Sequence, residues 1–485
     1  MKFRLFVIIS LLLMVLAAGS NARERKLRRV VFENVKELQK KIDDILNAKE
    51  LASSLTGIKI ISVDDGKILY EKNSAKLLHP ASNTKLITTA AALAKLPRYK
   101  FQTKLYCDGK AKNGVINGNL YLKGGSDPLL VSSDLDSLAD IAQKHGIVSI
   151  TGNLVGDISF FDTVAWGRGW MWDDEPSTDE PFITPLSLDS NCVSVSVAPS
   201  SADGMKAIIH LEPDIDIFTI ANSCLTQHDT VNNPVRVTRR RGTDNILIQG
   251  AIFPGAPGQT FTFSAWQPEL VTLQVFRKKL QARGITIKGE CVLDTVHGKT
   301  LLGEIDHPID SALVKVNKES YNLGAENLLK TLASEIYHAP GTWENGILVV
   351  KDYLFQIGVD TSNMILMDGS GVSFYNLFTP SDMVRLLRAQ YRSKTNFGRF
   401  YATLPVAGID GTLRNRMKGT RAEGNVHAKT GTLTGASALS GYVTTVDNKL
   451  LAFSIMSNHF PGEGKVLRDA QNKILELLAD YKAGK

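Results

Sequence analysis

The sequence predicts an α/β (α+β) protein of two or three domains, with a large β-rich insertion interrupting a domain of helices and strands. Three observations carry this. The chain has 485 residues, more than one typical core accommodates. Its flanks, up to about residue 97 and from about 304, mix strands with apolar-striped helices. Between them, from about Arg98 to Gly303, short β-rich pieces dominate.

The first element is an export signal. Lys2 and Arg4 form a basic start, Phe6 to Ala18 an apolar run, and "SNA" ending at Ala22 a cleavage site, so residues 1–22 are expected to be removed. The apolar run is short for a membrane span, which ranks an uncleaved anchor second. Residues 23–50 carry an amphipathic helical pattern. "IKIISV" and "ILYEKN" then read as strands joined at Asp65-Gly66, a hairpin signal. "HPASNTKLITTAAAL" follows, and its apolar positions run to Leu96 and stop at Pro97, so a buried helix is expected to start at Ser82.

In the insertion, Val193, Val195 and Val197 alternate with serines as in a half-buried strand, and "QPELVTLQVFRKKLQARG" is the one clear helix. Beyond it, "SYNLGAENLLKTLASEIY" and "TPSDMVRLLRAQYR" read as helices, the second capped at Thr379 ahead of Pro380. Strands return in "VHAKTGTL" and "ASALSGYVTTVDNKLLAFSIMSN". The last helix places Val466, Leu467, Ala470, Ile474, Leu477, Leu478 and Tyr481 on one stripe, read as packing on the sheet ahead of a membrane anchor.

Charge and cysteines narrow the function. A net charge of +7 suits anionic surfaces such as wall polymers or lipid headgroups and does not indicate nucleic acid. The densest basic run, "RVTRRRGTDN", is expected to be a solvated hairpin tip. Cys107, Cys192, Cys224 and Cys291 form no C-x-x-C, which leaves a zinc ribbon or thioredoxin-like site unsupported. One or two disulfides are compatible with an exported chain, and no pairing follows from the spacing. The nine histidines form no H-E-x-x-H, which argues against a zinc peptidase, and no G-x-S-x-G marks an α/β-hydrolase; no metal and no other cofactor is expected.

The chemistry starts at Ser82 and Lys85. Three residues apart, they share a helix face. A serine at a helix start keeps its hydroxyl exposed beside unpaired N–H groups, which can stabilise an oxyanion. Lys85 can take the hydroxyl proton only when neutral, which burial favours. Alone, S-x-x-K is more simply a capping serine and a solvated lysine. Two further motifs change that balance: Ser320-Tyr321-Asn322, an S-x-N, and Lys429-Thr430-Gly431-Thr432, a K-T-G-T. The order S-x-x-K, S-x-N, K-T-G is the set of serine β-lactamases and penicillin-binding proteins.

With these motifs, the lead-in to Ser82, "YLKGGSDPLL", "MDGSGVSFYNLFTPSDMVRLL" and "LPVAGIDGTLRNRM", the chain resembles low-molecular-weight penicillin-binding proteins of the D-alanyl-D-alanine carboxypeptidase/endopeptidase family, peptidase family S13 (the penicillin-binding protein 4 type). It departs at Ser126, where a third glycine is usual. The resemblance implies a catalytic domain of transpeptidase and serine β-lactamase type, a five-stranded antiparallel sheet flanked by helices, from residues 23–97 and 304–485. It implies two inserted domains, 98–165 with 266–303, and a nested 166–265.

The resemblance also implies the roles. Ser82 is the nucleophile, Lys85 its base, Ser320 a proton relay, and Asn322 a substrate and lysine holder. Lys429, Thr430 and Thr432 bind the substrate carboxylate, and the N–H groups of Ser82 and Thr432 stabilise the oxyanion. The expected substrates are peptidoglycan stem peptides ending in D-Ala-D-Ala, or D-Ala–diaminopimelate cross-links. β-Lactam antibiotics are expected to acylate the serine. The location implied is periplasmic, with at most peripheral membrane contact; a homodimer is compatible with the sequence. A β-lactamase or D-amino-acid amidase shares the scaffold and differs in rapid β-lactam turnover. A non-catalytic wall-binding protein is the other alternative, against which the intact motif set argues. Two stretches stay open: "DGSG" at Asp368–Gly371 as a tight turn or a cleft element, and "GWMWDDE" as domain packing ahead of sugar stacking or amine binding.

Overall fold

The computed structural model describes residues 31–483. The expected signal segment and its cleavage site lie outside the described residues. Two compact units form. One comprises the described residues up to Pro80, with Phe378–Phe397 and the chain from Leu404 onward. The other comprises Ala81–Leu377 and Gly398–Thr403.

The first unit is built on a five-stranded antiparallel sheet, in the order His427–Leu433, Ala436–Thr444, Leu450–Asn458, Leu55–Ser62, Ile68–Lys72. Its two central strands are buried almost residue by residue, so both faces are covered. Val443 and Leu439 join a core with Ile474 and Leu478 of the helix Lys465–Asp480 and with Leu38 and Ile42 of the helix Val35–Leu46. Tyr442 points the other way and donates its hydroxyl to the Leu387 carbonyl of the helix Pro380–Arg392, at 2.7 Å. That helix starts as expected: Thr379 Oγ1 accepts the Asp382 N–H at 3.0 Å and Pro380 opens the first turn. The hairpin at Asp65-Gly66 is also present, with Gly66 at φ +81°. On the last helix the expected stripe needs one correction. Leu467, Ala470, Ile474 and Leu478 are buried, whereas Val466 stands out into solvent.

The second unit holds the helix Thr84–Lys95, with the helices Ile309–Lys318, Asn322–Tyr337 and Trp343–Gln356 against it. Its other part is β-rich. A mixed five-stranded sheet runs Cys291–Leu293, Leu154–Asp157, Leu120–Gly125, Lys100–Cys107, Thr300–Pro308. The strand Cys192–Ala198 buries Val193, Val195 and Val197, while Ser194 and Ser196 bond across to Thr262 and Thr260. This stretch holds more than the one expected helix. Ser132–Lys144 is a second, packed on Pro268–Ala282 through Leu135, Leu138, Ala139 and Ala142. Ser126 adopts φ +66°, the conformation that makes glycine usual there, and its hydroxyl is held by Thr331 Oγ1 at 2.9 Å.

One sequence expectation changes. The hairpin of Arg236–Arg239 and Asn245–Gln249 exists, but Arg239 is fully buried and pairs with Glu175 at 2.7 Å. A guanidinium can stay buried when its donors find oxygens, and Ser264 and Thr243 carbonyls take two more. The four cysteines are all unpaired. No helix among the described residues is long and apolar enough to cross a membrane.

Candidate active site

The chain enters the helix Thr84–Lys95 through a 3-10 turn, Ala81–Asn83, so Ser82 sits one turn ahead of the α-helix proper. This corrects the expected start. Ala81 is held at φ +46°, a strained value for a residue with a Cβ. Its carbonyl accepts the Thr84 hydroxyl at 3.0 Å. Gly371, at φ +87°, passes so close that a Cβ there would strike the Ala81 carbonyl. Every residue from Thr84 to Leu93 is buried, which makes the helix a rigid mount. Ser82 itself is half-buried.

Lys85 is fully buried. Its Nζ lies 2.9 Å from Ser82 Oγ, 2.5 Å from Asn322 Oδ1 and 2.7 Å from the Ser370 carbonyl. All three acceptors are uncharged. Burial pulls the ammonium down to about 8, opposed by the more distant charges of Asp368, Glu326, Asp179 and Glu180. Roughly a tenth of the molecules then hold a neutral Lys85 at pH 7. The hydroxyl, a neutralisable amine and an amide are thereby brought together.

Asn322 opens the helix Asn322–Tyr337, and its Nδ2 donates to the Asp179 carbonyl at 2.8 Å. Ser320 precedes that helix in the left-handed region, at φ +62°. Strained residues thus sit just before Ser82 and just before Asn322, as functional sites often show. Tyr321, between them, donates to the Pro128 carbonyl at 3.0 Å.

Lys429, Thr430 and Thr432 belong to the other unit, on the strand His427–Leu433. That strand is the sheet's edge, paired through Lys429↔Ser440 and Thr430↔Leu439 on one side. Lys429 is buried and donates to the Thr430 carbonyl at 2.8 Å, whereas Thr432 is exposed.

Both open stretches resolve. "DGSG" is a turn, and also the loop whose Ser370 carbonyl receives Lys85. The Asp368 carboxylate accepts the Gly371 and Ser373 N–H groups at 2.8 and 2.6 Å and the Trp170 indole N–H at 3.0 Å. Trp170 therefore packs inside, as read. Trp172 is 74% exposed, with the Arg241 guanidinium 4.3 Å from its ring centre. The sequence offers Asp368 and Ser370 only as part of an open "DGSG" stretch, and its motifs do not point to Glu326 or to the Ser370 carbonyl as a partner of Lys85. For Glu326 a signal existed: it is the lone acid on the apolar run "NLGAENLL", one turn beyond Asn322. A backbone carbonyl carries no residue-type signal. Among the described residues no cluster of His, Cys, Asp or Glu suits a metal ion.

A family model described as the D-Ala-D-Ala carboxypeptidase 3 (S13) family matches residues 38–481. A D-alanyl-D-alanine carboxypeptidase of an Actinomadura species is 34% identical over 463 residues, covering 92% of this chain and 85% of that one. The crystal structure of penicillin binding protein 4 (dacB) from Haemophilus influenzae matches with a TM-score of 0.81 at 26% identity, covering 90% of this chain and 99% of that one. A second structure of that protein, complexed with a β-lactam, matches with a TM-score of 0.76 at 24% identity, covering 90% and 98%.

Proposed function

The chain belongs to the D-Ala-D-Ala carboxypeptidase 3 (S13) family, with a penicillin-binding protein fold, and from that premise we propose that it is a serine D,D-peptidase working through a Ser82 acyl-enzyme. The observation that carries the proposal is the Lys85 amine 2.9 Å from Ser82 Oγ, buried and without a charged acceptor. Neutral Lys85 takes the Ser82 proton as the oxygen attacks the penultimate D-Ala carbonyl. Ser320 returns a proton to the leaving amine, water then cleaves the ester, and Asn322 orients both Lys85 and the substrate amide. N–H groups of Ser82 and Thr432 stabilise the oxyanion. Lys429, Thr430 and Thr432 bind the anionic chain end. An edge strand supports this, because it can pair with an extended peptide.

The same proposal covers the cleavage of D-Ala–diaminopimelate cross-links, acylation by penicillins and export to the periplasm. It also includes the two inserted domains, 98–165 with 266–303 and 166–265. Intact mass spectrometry after incubation with benzylpenicillin tests it. One adduct is expected on the wild type, absent from Ser82→Ala and slowed about 10³-fold or more in Lys85→Ala. Folded wild type that gains no adduct and consumes no β-lactam would overturn the reading. Acylation of Lys85→Ala at the wild-type rate would remove Lys85 as the base.

A further inference from the structure

Glu326 is fully buried, and no cation bonds its carboxylate. Three N–H groups reach it, Ser370 N at 2.7 Å and Gly369 N at 3.1 Å on Oε1, Gly369 N at 2.9 Å and the Trp343 indole at 2.7 Å on Oε2, and the Ser370 hydroxyl adds a further bond. These donors favour the ionised carboxylate, against burial and the neighbouring Asp368 charge, which push the Glu326 pKa up to about 7. A charge buried without a counter-ion is costly, and a neutral residue would hold a turn at less expense. What the clamp holds is specific. The carbonyl of Ser370, on the residue whose N–H Glu326 grips, receives Lys85 Nζ at 2.7 Å. Asn322, one turn earlier on the same helix face, supplies the acceptor at 2.5 Å.

One helix face therefore sets two of the three acceptors around Lys85, directly through Asn322 and through the backbone by way of Glu326. We propose that Glu326 is a positioning residue for acyl transfer: its carboxylate fixes the Gly369–Ser370 backbone so that the Ser370 carbonyl holds the Lys85 amine against Ser82. Its charge has a second effect. Four carboxylates face Lys85: Glu326 from the helix, Asp368 from the loop, and Asp179 and Glu180 from the segment bonded to Asn322. All of them favour the ammonium. Glu326 in turn faces Asp368, and Lys330 faces Glu326, Glu344 and its own partner Asp162. Removing the Glu326 charge removes one support of the ammonium, so Lys85 sheds its proton at lower pH.

The inference rests on the acyl-enzyme reading, and the experiment separates the two. Acylation of the full chain by a fluorescent penicillin is followed from pH 5.5 to 9.5, with the active fraction counted by prolonged incubation. Absence of acylation in the wild type overturns the function and this inference together. With the wild type active, Glu326→Gln is expected to acylate about 10–100-fold more slowly on the alkaline plateau. Its acid limb should move about 1 pH unit lower. A rate loss equal at every pH, with the limb unmoved, means a merely structural residue and overturns the inference, as does an unchanged profile. Glu326→Asp keeps the charge but is one methylene too short to grip both amides. It is expected to lose about tenfold in rate with its limb in place, and a wild-type rate there overturns the positioning role even if the glutamine variant does not fold.

Discussion

Lys85 and Lys330 are two fully buried lysines of the same unit, and their surroundings differ above all in charge. Lys330 Nζ meets the Asp162 carboxylate at 2.6 Å, the Val164 carbonyl at 2.8 Å and the ring of Trp343 at 4.1 Å. Lys85 bonds only neutral oxygens. Burial depresses both amines, and at Lys330 a direct ion pair opposes it. The first arrangement fastens the segment that follows the strand Leu154–Asp157 to the helix Asn322–Tyr337. The second keeps an amine within reach of neutrality beside a hydroxyl. Burial alone thus does not single out Lys85; burial without a touching counter-ion, beside a hydroxyl, is what the proposed base role needs.

The strongest way to break the comparison is to make Lys85 resemble Lys330. Asn322→Asp places a carboxylate at the 2.5 Å contact and should raise the Lys85 pKa by about 1–3 units. Penicillin acylation near pH 7 is expected to fall about 100-fold, in part through loss of the amide itself. As the pH rises past 9, part of that loss should return. A deficit constant across pH would mean that Asn322 acts on substrate alone and leaves Lys85 untouched.

The converse change strips Lys330 of its partner. Asp162→Asn is expected to cost about 2–3 kcal/mol of stability, measured by urea unfolding, while acylation per folded molecule stays near wild type. The pH dependence follows from the sign of the shift. Burial holds Lys330 below the ordinary lysine value, and without Asp162 it falls further. The unfolded chain then binds the proton more tightly, so stability should rise with pH between the depressed value and the ordinary lysine range. A variant whose stability is flat with pH would show that Asp162 was not supporting the charge.

The sequence shows one side of this contrast and hides the other. S-x-x-K, S-x-N and K-T-G point to Ser82, Lys85 and Asn322 because each role needs a particular side chain at a particular spacing. Thr379 before Pro380, and the Val193–Val197 alternation, are legible for the same reason: the cause lies within a few residues. Arg239 departs from the expected solvated tip because nothing local tells which arginine of a run turns inward. That depends on strand parity and on Glu175, far off in the chain. The helix Ser132–Lys144 was hidden by its polar face, rich in serine and aspartate, which are weak helix formers, although its apolar spacing is regular. Around Lys85, the Ser370 carbonyl and the Glu326 clamp are tertiary facts. Any residue at 370 would present a carbonyl.

The smallest expected effect tests how tightly that loop must be held. Thr88, one turn beyond Lys85 on the same helix, donates its hydroxyl to the Gly369 carbonyl at 2.7 Å in a fully enclosed place. Thr88→Val keeps the shape and removes the donor, leaving a buried carbonyl short of a partner. About 1 kcal/mol of stability should go, read by thermal or urea unfolding. Acylation should slow only about two- to fivefold, because Glu326 still grips the neighbouring N–H groups, and the acid limb should not move, because no charge has changed. If the rate falls as far as in Glu326→Gln, the carbonyl's position is the whole of the clamp's effect and the charge of Glu326 adds nothing. If stability falls and the rate does not, the helix holds the loop for folding, and the Lys85 amine is placed by Asn322 and Glu326 without help from Thr88.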